Sequence, residues 1–553
     1  MSMAATSHSY TVGTNTMSLP HYHVELTHAH LLEFEMLNSM SALESFDQLL
    51  YFFESKLASN NLPVPPGDVI IVMLTLATVS EHYKGQLLRN NDPYNVSRNS
   101  LSVRSVRVLQ QLVQKMVVFD TRNHSIYDLE LLRCQFFIAI DHISPKRPSF
   151  PLPQKDVDSY KRRKTSSSRV ECFEHAHISS GVNSNSSNFN NSYSSYVSAL
   201  EHKTHVLKNS LLTIKLNQRG GFWNCVGWAL ANSVEESFEK YSCGRIWMPV
   251  LHIIFQLYDL RQEYFMNFEF SKAVRPSLCF QQLEDSPLAL VFGTLGLTDC
   301  KTILCDYLFV NCQYPLAGKI NVHPVYQKET SVSPNYMSSA NPTRVYKLKQ
   351  SMKLRRAVLA SFFKLLFELP GGQKLHSLKV NEKEFIQHMS RVLKSFENLD
   401  EFKCFFYSSD FSKDIDYLSL LAEECINEIA QDLGHDLRLS IIDSFGDENM
   451  FIAELIEIFE TGFPRLDYEI YSGDWNTLEK CIAKCDICLI VLIKYAINNH
   501  GETTLKMADG FDRLLELLVM NDKDRVLHVQ ENFDTQVTPP KLYPILTILF
   551  HSG

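Results

Sequence analysis

From Leu32 almost to its end, this chain of 553 residues repeats apolar side chains at steps of three and four. Leu129, Leu132, Phe136 and Ile140 follow that spacing. So do Leu354, Val358, Phe362 and Leu366, and Trp475, Leu478, Ile482, Cys485, Leu489 and Leu492. Such steps place each set on one face of an α-helix, where it must be covered by another element. Glycine supplies 20 of 553 residues, well under the average of roughly 7%. Few glycines leave few positions for tight hairpin turns, which again favours helices. The expected fold is all-α: an irregular multi-helix body in two lobes with no fixed solenoid repeat.

The pattern also sets boundaries. Residues 1–20 read as a polar, disordered arm, and 21–143 as an N-terminal helical lobe. Within that lobe Thr27 is a plausible N-cap. Leu32, Met36, Met40, Leu43, Phe46, Leu50 and Phe53 then predict one long helix with these residues on its inner face. It would end before Asn60 and the Pro63–Gly67 loop. Val69–Val79 reads as a buried helix, and Leu101–Phe119 and Tyr127–Ile140 as two more. The composition then changes. From Ser144 to about Asn191 the chain is rich in Ser, Asn, Pro and basic residues. It cannot bury enough apolar area to offset its conformational entropy, so a flexible insertion is expected. A central helical region at 192–326, a polar loop at 327–342 and a C-terminal lobe at 343–553 complete the division. Trp247–Leu260 is apolar on several faces and predicts a central helix. Pro370, Gly371 and Gly372 close the stripe that begins at Leu354.

Charge and motifs narrow the function. The net charge is −9, without the basic excess by which a dedicated duplex binder neutralises phosphates. The apolar run Ile487–Ile493 is too short to span a bilayer. Thirteen cysteines, an odd number, mostly sit inside apolar helical patterns, which suits a reducing compartment. Four histidines crowd the start: His21, His23, His28 and His30. Two His-x-His pairs can in principle ligate zinc or copper, but no nearby Cys or carboxylate pattern completes a tetrahedral set. Cys481, Cys485 and Cys488 have helix-face spacing and read as small buried hydrophobes, as do Cys300, Cys305 and Cys312. The Gly-x-Ser-x-Gly elbow, His-Glu-x-x-His, a Walker A loop and Gly-x-Gly-x-x-Gly are all missing from the sequence. Glu423, Glu424, Glu454 and Glu457 fall on polar helix faces.

Several segments are too distinctive to be generic helix. They include YHVELTHAHLLEFEMLNSM at Tyr22–Met40, NDPYNVSR at Asn91–Arg98 and YDLELLRCQFFIAID at Tyr127–Asp141. IWMPVL at Ile246–Leu251, SPLALVF at Ser286–Phe292 and VHPVY at Val322–Tyr326 follow. CDICLIVLIKY at Cys485–Tyr495 and PPKLYPILTILF at Pro539–Phe550 complete the series. In this order they resemble one family, non-SMC element five, a subunit of the structural-maintenance-of-chromosomes five–six complex of budding yeasts. The resemblance runs from about residue 20 to the C-terminus.

It implies a helical, non-enzymatic nuclear subunit associated with chromosomes. Such a subunit forms a stable heterodimer with non-SMC element six and contacts the ATPase core and its kleisin. It restrains ATP hydrolysis, aids chromatin loading, and links DNA repair to sumoylation. No cofactor is implied. Two other readings stay open: an enzyme with a metal site at the N-terminal histidines, and a generic nuclear α-helical scaffold.

Four sites are candidates for contact with other molecules. Lys161, Arg162, Arg163 and Lys164 can act as a nuclear-import signal, or merely solubilise a linker; the neighbouring serines can take phosphate. Val69, Ile70, Ile71 and Val72, beside Asp68, can add as a strand to a ubiquitin-like modifier, or form a core helix. Asp486 with Leu489–Leu492 offers the same choice. Lys353, Arg355 and Arg356 open a helix, and both arginines are expected on its polar side, within reach of a phosphate.

Overall fold

A computed structural model describes residues 26–78, 101–145, 220–233, 244–266, 283–296, 300–310, 348–367, 380–407, 411–432, 447–461, 475–532 and 538–549, with a few isolated positions between them. Among the described residues the fold is all-α and contains no strand.

The N-terminal lobe holds α1 (His28–Ala42), α2 (Phe46–Ala58), α3 (Gly67–Thr78), α4 (Leu101–Val118) and α5 (Ile126–Ile143). Every residue of α3 is buried, because α1, α4 and α5 pack around it. Next come α6 (Gly221–Asn232), α7 (Gly244–Tyr264), α8 (Pro287–Gly293), α9 (Cys300–Leu308) and α10 (Leu348–Phe367). The junction is α7, which touches α3, α4 and α5 on one side and α6, α8 and α10 on the other.

The chain then forms α11 (Glu382–Lys394), α12 (Leu399–Phe406) and α13 (Phe411–Asp432). It continues with α14 (Glu448–Glu460), α15 (Trp475–His500), α16 (Glu502–Met507), α17 (Phe511–Asn532) and α18 (Tyr543–Leu549). Here α13 lies between α11 and α15, while α14, α16, α17 and α18 close the far end. One apolar core runs through these helices, from Phe34 to Leu546. At its middle, Phe292 meets Trp223 and Phe362, with ring centroids 5.5 and 4.8 Å apart. No helix among the described residues is long and apolar enough to cross a membrane.

The expected single helix from Thr27 to Asn60 is two. Thr27 does cap the first, its hydroxyl accepting from the His30 N–H at 3.3 Å. The helix then stops at a Schellman turn, in which Ser45 N–H reaches Met40 O and Glu44 N–H reaches Ser41 O, each at 2.9 Å. Glu44 holds the left-handed conformation, φ 58°, a place normally given to Gly or Asn. The break shifts the helical phase. Phe34 and Leu37 therefore face the core, while Leu32, Met36 and Leu43 face outward. The second half of the expected stripe, Phe46, Leu50 and Phe53, is buried.

Glu44→Gly should stabilise the fold by about 0.5–1 kcal/mol. It removes the left-handed penalty of about 1–2 kcal/mol and adds unfolded-state entropy of about 0.4–1 kcal/mol. A higher midpoint in urea with an unchanged slope is the expected readout.

Candidate interaction surface

Several buried polar groups hold helix ends. Arg355 and Arg356 are buried, not solvated as their sequence suggests. The Arg355 fork donates to the carbonyls of Leu308 and Val310, the latter at 3.2 Å, and to Ser351 Oγ at 3.1 Å. It therefore caps the C-terminus of α9, where unsatisfied carbonyls and the helix dipole both favour a cation. That geometry leaves Arg355 no phosphate to bind. Lys353 is exposed.

Lys484 does the same for α11. Its ammonium donates to Lys394 O at 2.6 Å and Phe396 O at 2.7 Å, and burial pushes its pKa down. Arg391 and Lys394 both pair with Glu428 across the α11–α13 contact.

The thiols behave as small hydrophobes. Cys300, Cys305, Cys485 and Cys488 are buried, and burial lifts the Cys485 and Cys488 thiols well above their ordinary range. Cys312 lies outside the described residues, as do His21 and His23. His28 is exposed. His30 sits 2.7 Å from Thr27 Oγ1 and 3.2 Å from Asp128 Oδ1, tying α1 to the start of α5. Among the described residues no three His, Cys, Asp or Glu side chains are placed to hold a metal ion.

Val69, Ile70, Ile71 and Val72 are buried in α3, so adding them as a strand to another protein would require α3 to unfold. Leu489–Leu492 are likewise buried in α15. Lys161, Arg162, Arg163 and Lys164 lie outside the described residues, as do Pro370, Gly371 and Gly372.

Asp68 shares the burial of its aliphatic neighbours, and desolvation raises its carboxyl to about 8. The folded state then holds a proton that the unfolded chain releases near pH 4. Stability from this residue is complete below that range and falls as pH rises towards 8. Asp68→Asn removes the titration. Its advantage over the parent should be smallest at pH 4 and largest at pH 8, growing by up to about 1.4 kcal/mol per pH unit between them. Thermal melts at the two pH values check it.

What the surface offers is apolar area. On α1 and its C-cap, Leu31, Leu32, Met36 and Leu43 are 43%, 55%, 37% and 77% exposed. Past the turn, an open groove of about 720 Å³ runs between α2 and α4, with Tyr51, Arg107 and Gln111 on its walls. Arg104 crosses it, donating to Glu54 at 2.9 and 2.8 Å and pairing with Asp47. Leu527 on α17 and Ile545 and Ile548 on α18 are exposed as well. Spacing alone assigns Leu32, Met36 and Leu43 to the core and so hides the outward face of α1. A signal existed: apolar residues surround α1 on both sides, a pattern that calls for cover on both.

Fold and surface define an all-α protein with one continuous core, apolar patches left open, and no assembled metal-ligand cluster among its described residues. A family model described as "DNA repair proteins Nse5 and Nse6" matches residues 1–514. The chain is 37% identical over 536 residues, 96% of its own length and 95% of the relative's, to "Non-structural maintenance of chromosome element 5" of Saccharomyces cerevisiae. The chain belongs to the Nse5 family of DNA repair proteins.

Proposed function

We propose that this protein is a non-enzymatic subunit of the SMC five–six DNA-repair complex and acts in the nucleus, on chromosomes. It pairs with Nse6, and the pair docks on the ATPase core and its kleisin, restrains ATP hydrolysis and helps load the complex onto chromatin, with a link to sumoylation. The observation that carries this reading is the end-to-end 37% identity to a protein named for chromosome maintenance. The family description adds Nse6 by name. The fold suits the role: a rigid helical platform with open apolar faces is built to grip proteins.

The physical mechanism is differential affinity. A heterodimer that binds one arrangement of the ATPase heads more tightly than another shifts their equilibrium, with no chemistry of its own. Purified heterodimer added to the purified core should lower its ATP turnover; unchanged turnover would exclude the restraint. Purification from nuclei should return chromosome-maintenance subunits at one-to-one stoichiometry. A different set of companions would instead favour a general nuclear scaffold. For Lys161–Lys164, deletion of 155–170 should reduce nuclear accumulation if the cluster is an import signal.

A further inference from the structure

We infer that the outward face of α1 is an anchor point of the heterodimer, and that its occupant is an amphipathic helix of the partner carrying Lys or Arg beside its apolar stripe. The inference rests on the pairing proposed above and adds to it a place and a chemistry.

Three observations carry it. First, α1 is apolar on both sides but covered on one. Phe34 and Leu37 are buried, while Leu31, Leu32, Met36 and Leu43 are exposed. Leu32, Met36 and Leu43 are spaced by four and seven, the register one helix presents to another lying along it.

Second, the backbone at Glu44 holds that arrangement. The left-handed turn ends α1 so that Leu43 stays outside while Phe46 turns into the core. A continuous helix would have carried Leu32, Met36 and Leu43 inward with Phe46, Leu50 and Phe53, and turned Phe34 and Leu37 outward instead.

Third, the free charge on the face is acidic. Between His28 and Gln48 the chain carries Glu33, Glu35, Glu44 and Asp47, and no Lys or Arg. Asp47 pairs with Arg104 and Glu33 lies 4.0 Å from Lys56, so the exposed Glu35 and Glu44 are the charges left to meet a partner. A basic helix fits this rim, and an acidic one is repelled by it. At about 1.5 Å per residue the fifteen residues of α1 give a face about 22 Å long. That is enough for a four-turn helix, but only part of the roughly 800 Å² per partner that a stable interface needs. The face is therefore one anchor within a larger contact.

The test uses the full chain and purified Nse6 in an equilibrium binding assay. Leu32→Asp with Met36→Asp should weaken association at least about tenfold, since charge in an apolar interface centre is poorly tolerated. The melting temperature should be unchanged, because both side chains point to solvent. Leu527→Asp with Ile548→Asp, exposed apolar residues away from α1, should bind as the parent does. Glu35→Lys with Glu44→Lys should weaken binding more at 50 mM than at 500 mM salt, an effect on the order of threefold to tenfold, as screening predicts.

Equal binding by the parent and the α1 variant would overturn the inference and leave the pairing standing. Tighter binding by the lysine variant would overturn the basic character of the occupant. A parent that fails to bind Nse6 at all would sink the pairing itself. Concentration-dependent self-association lost in the α1 variant would assign the face to a second copy and overturn the proposal.

Discussion

Asp486→Ala should destabilise the protein by about 3–5 kcal/mol, the cost of leaving a buried charge without its partner. Asp486 and Arg525 are 6% and 2% exposed. They join α15 to α17 through two parallel hydrogen bonds of 2.8 and 2.9 Å. Burial pushes the Asp486 carboxyl up, and the Arg525 guanidinium offsets part of that rise. The same guanidinium donates to Pro540 O at 3.2 Å. One turn away, the Asp522 carboxylate accepts the Leu542 and Tyr543 N–H groups, both at 2.9 Å, and so caps α18. Loss of Asp486 should therefore appear twice. The urea midpoint should fall, and the amides of Leu542 and Tyr543 should exchange faster with solvent. Replacing both partners, Asp486→Leu with Arg525→Met, should recover much of the loss, since apolar pairs of similar volume often substitute for buried ion pairs. An alanine variant with unchanged stability would mean that water reaches the pair.

Arg355→Ala should cost about 3 kcal/mol or more. It leaves the Leu308 and Val310 carbonyls buried without their donor, at about 1–3 kcal/mol for an unsatisfied group, and opens a cavity beside Ser351. Arg355→Lys should recover only part, because an ammonium cannot present three donors in the spread of the guanidinium fork. The comparison discriminates. If charge alone mattered at the end of α9, lysine would restore the parent; if the fork matters, stability should stay well below it. Equilibrium unfolding of the three proteins decides the point.

Much of the fold could be read from spacing alone. Leu129, Leu132, Phe136 and Ile140 predict the inner face of α5, and all four are buried. So are Leu354, Val358, Phe362 and Leu366 of α10. Spacing failed where one residue adopts an uncommon backbone. Nothing about Glu44 announces a left-handed turn, and the phase of α1 depends on it. It failed again for charged side chains whose partners are distant in sequence. Arg355 follows the carbonyls it caps by 45 and 47 positions, and Asp486 precedes Arg525 by 39. Polarity says that such groups prefer water; only the packed structure supplies the alternative. The run Val69–Val72 was undecided for a third reason. A short aliphatic stretch has no period to separate strand from buried helix; in the structure it is helical, with α1, α4, α5 and α7 packed around it. The family was legible throughout, because unusual words in a fixed order carry information that helical periodicity does not.

The pinned tail has a practical consequence for anyone handling this protein. The family model ends at residue 514, and that limit invites shortening the polypeptide there. Cutting at that point would discard Arg525, Leu542 and Leu546, uncover the sockets they fill and leave Asp486 stranded in oil. A trimmed version that aggregates would thus report a missing latch rather than a missing binding site.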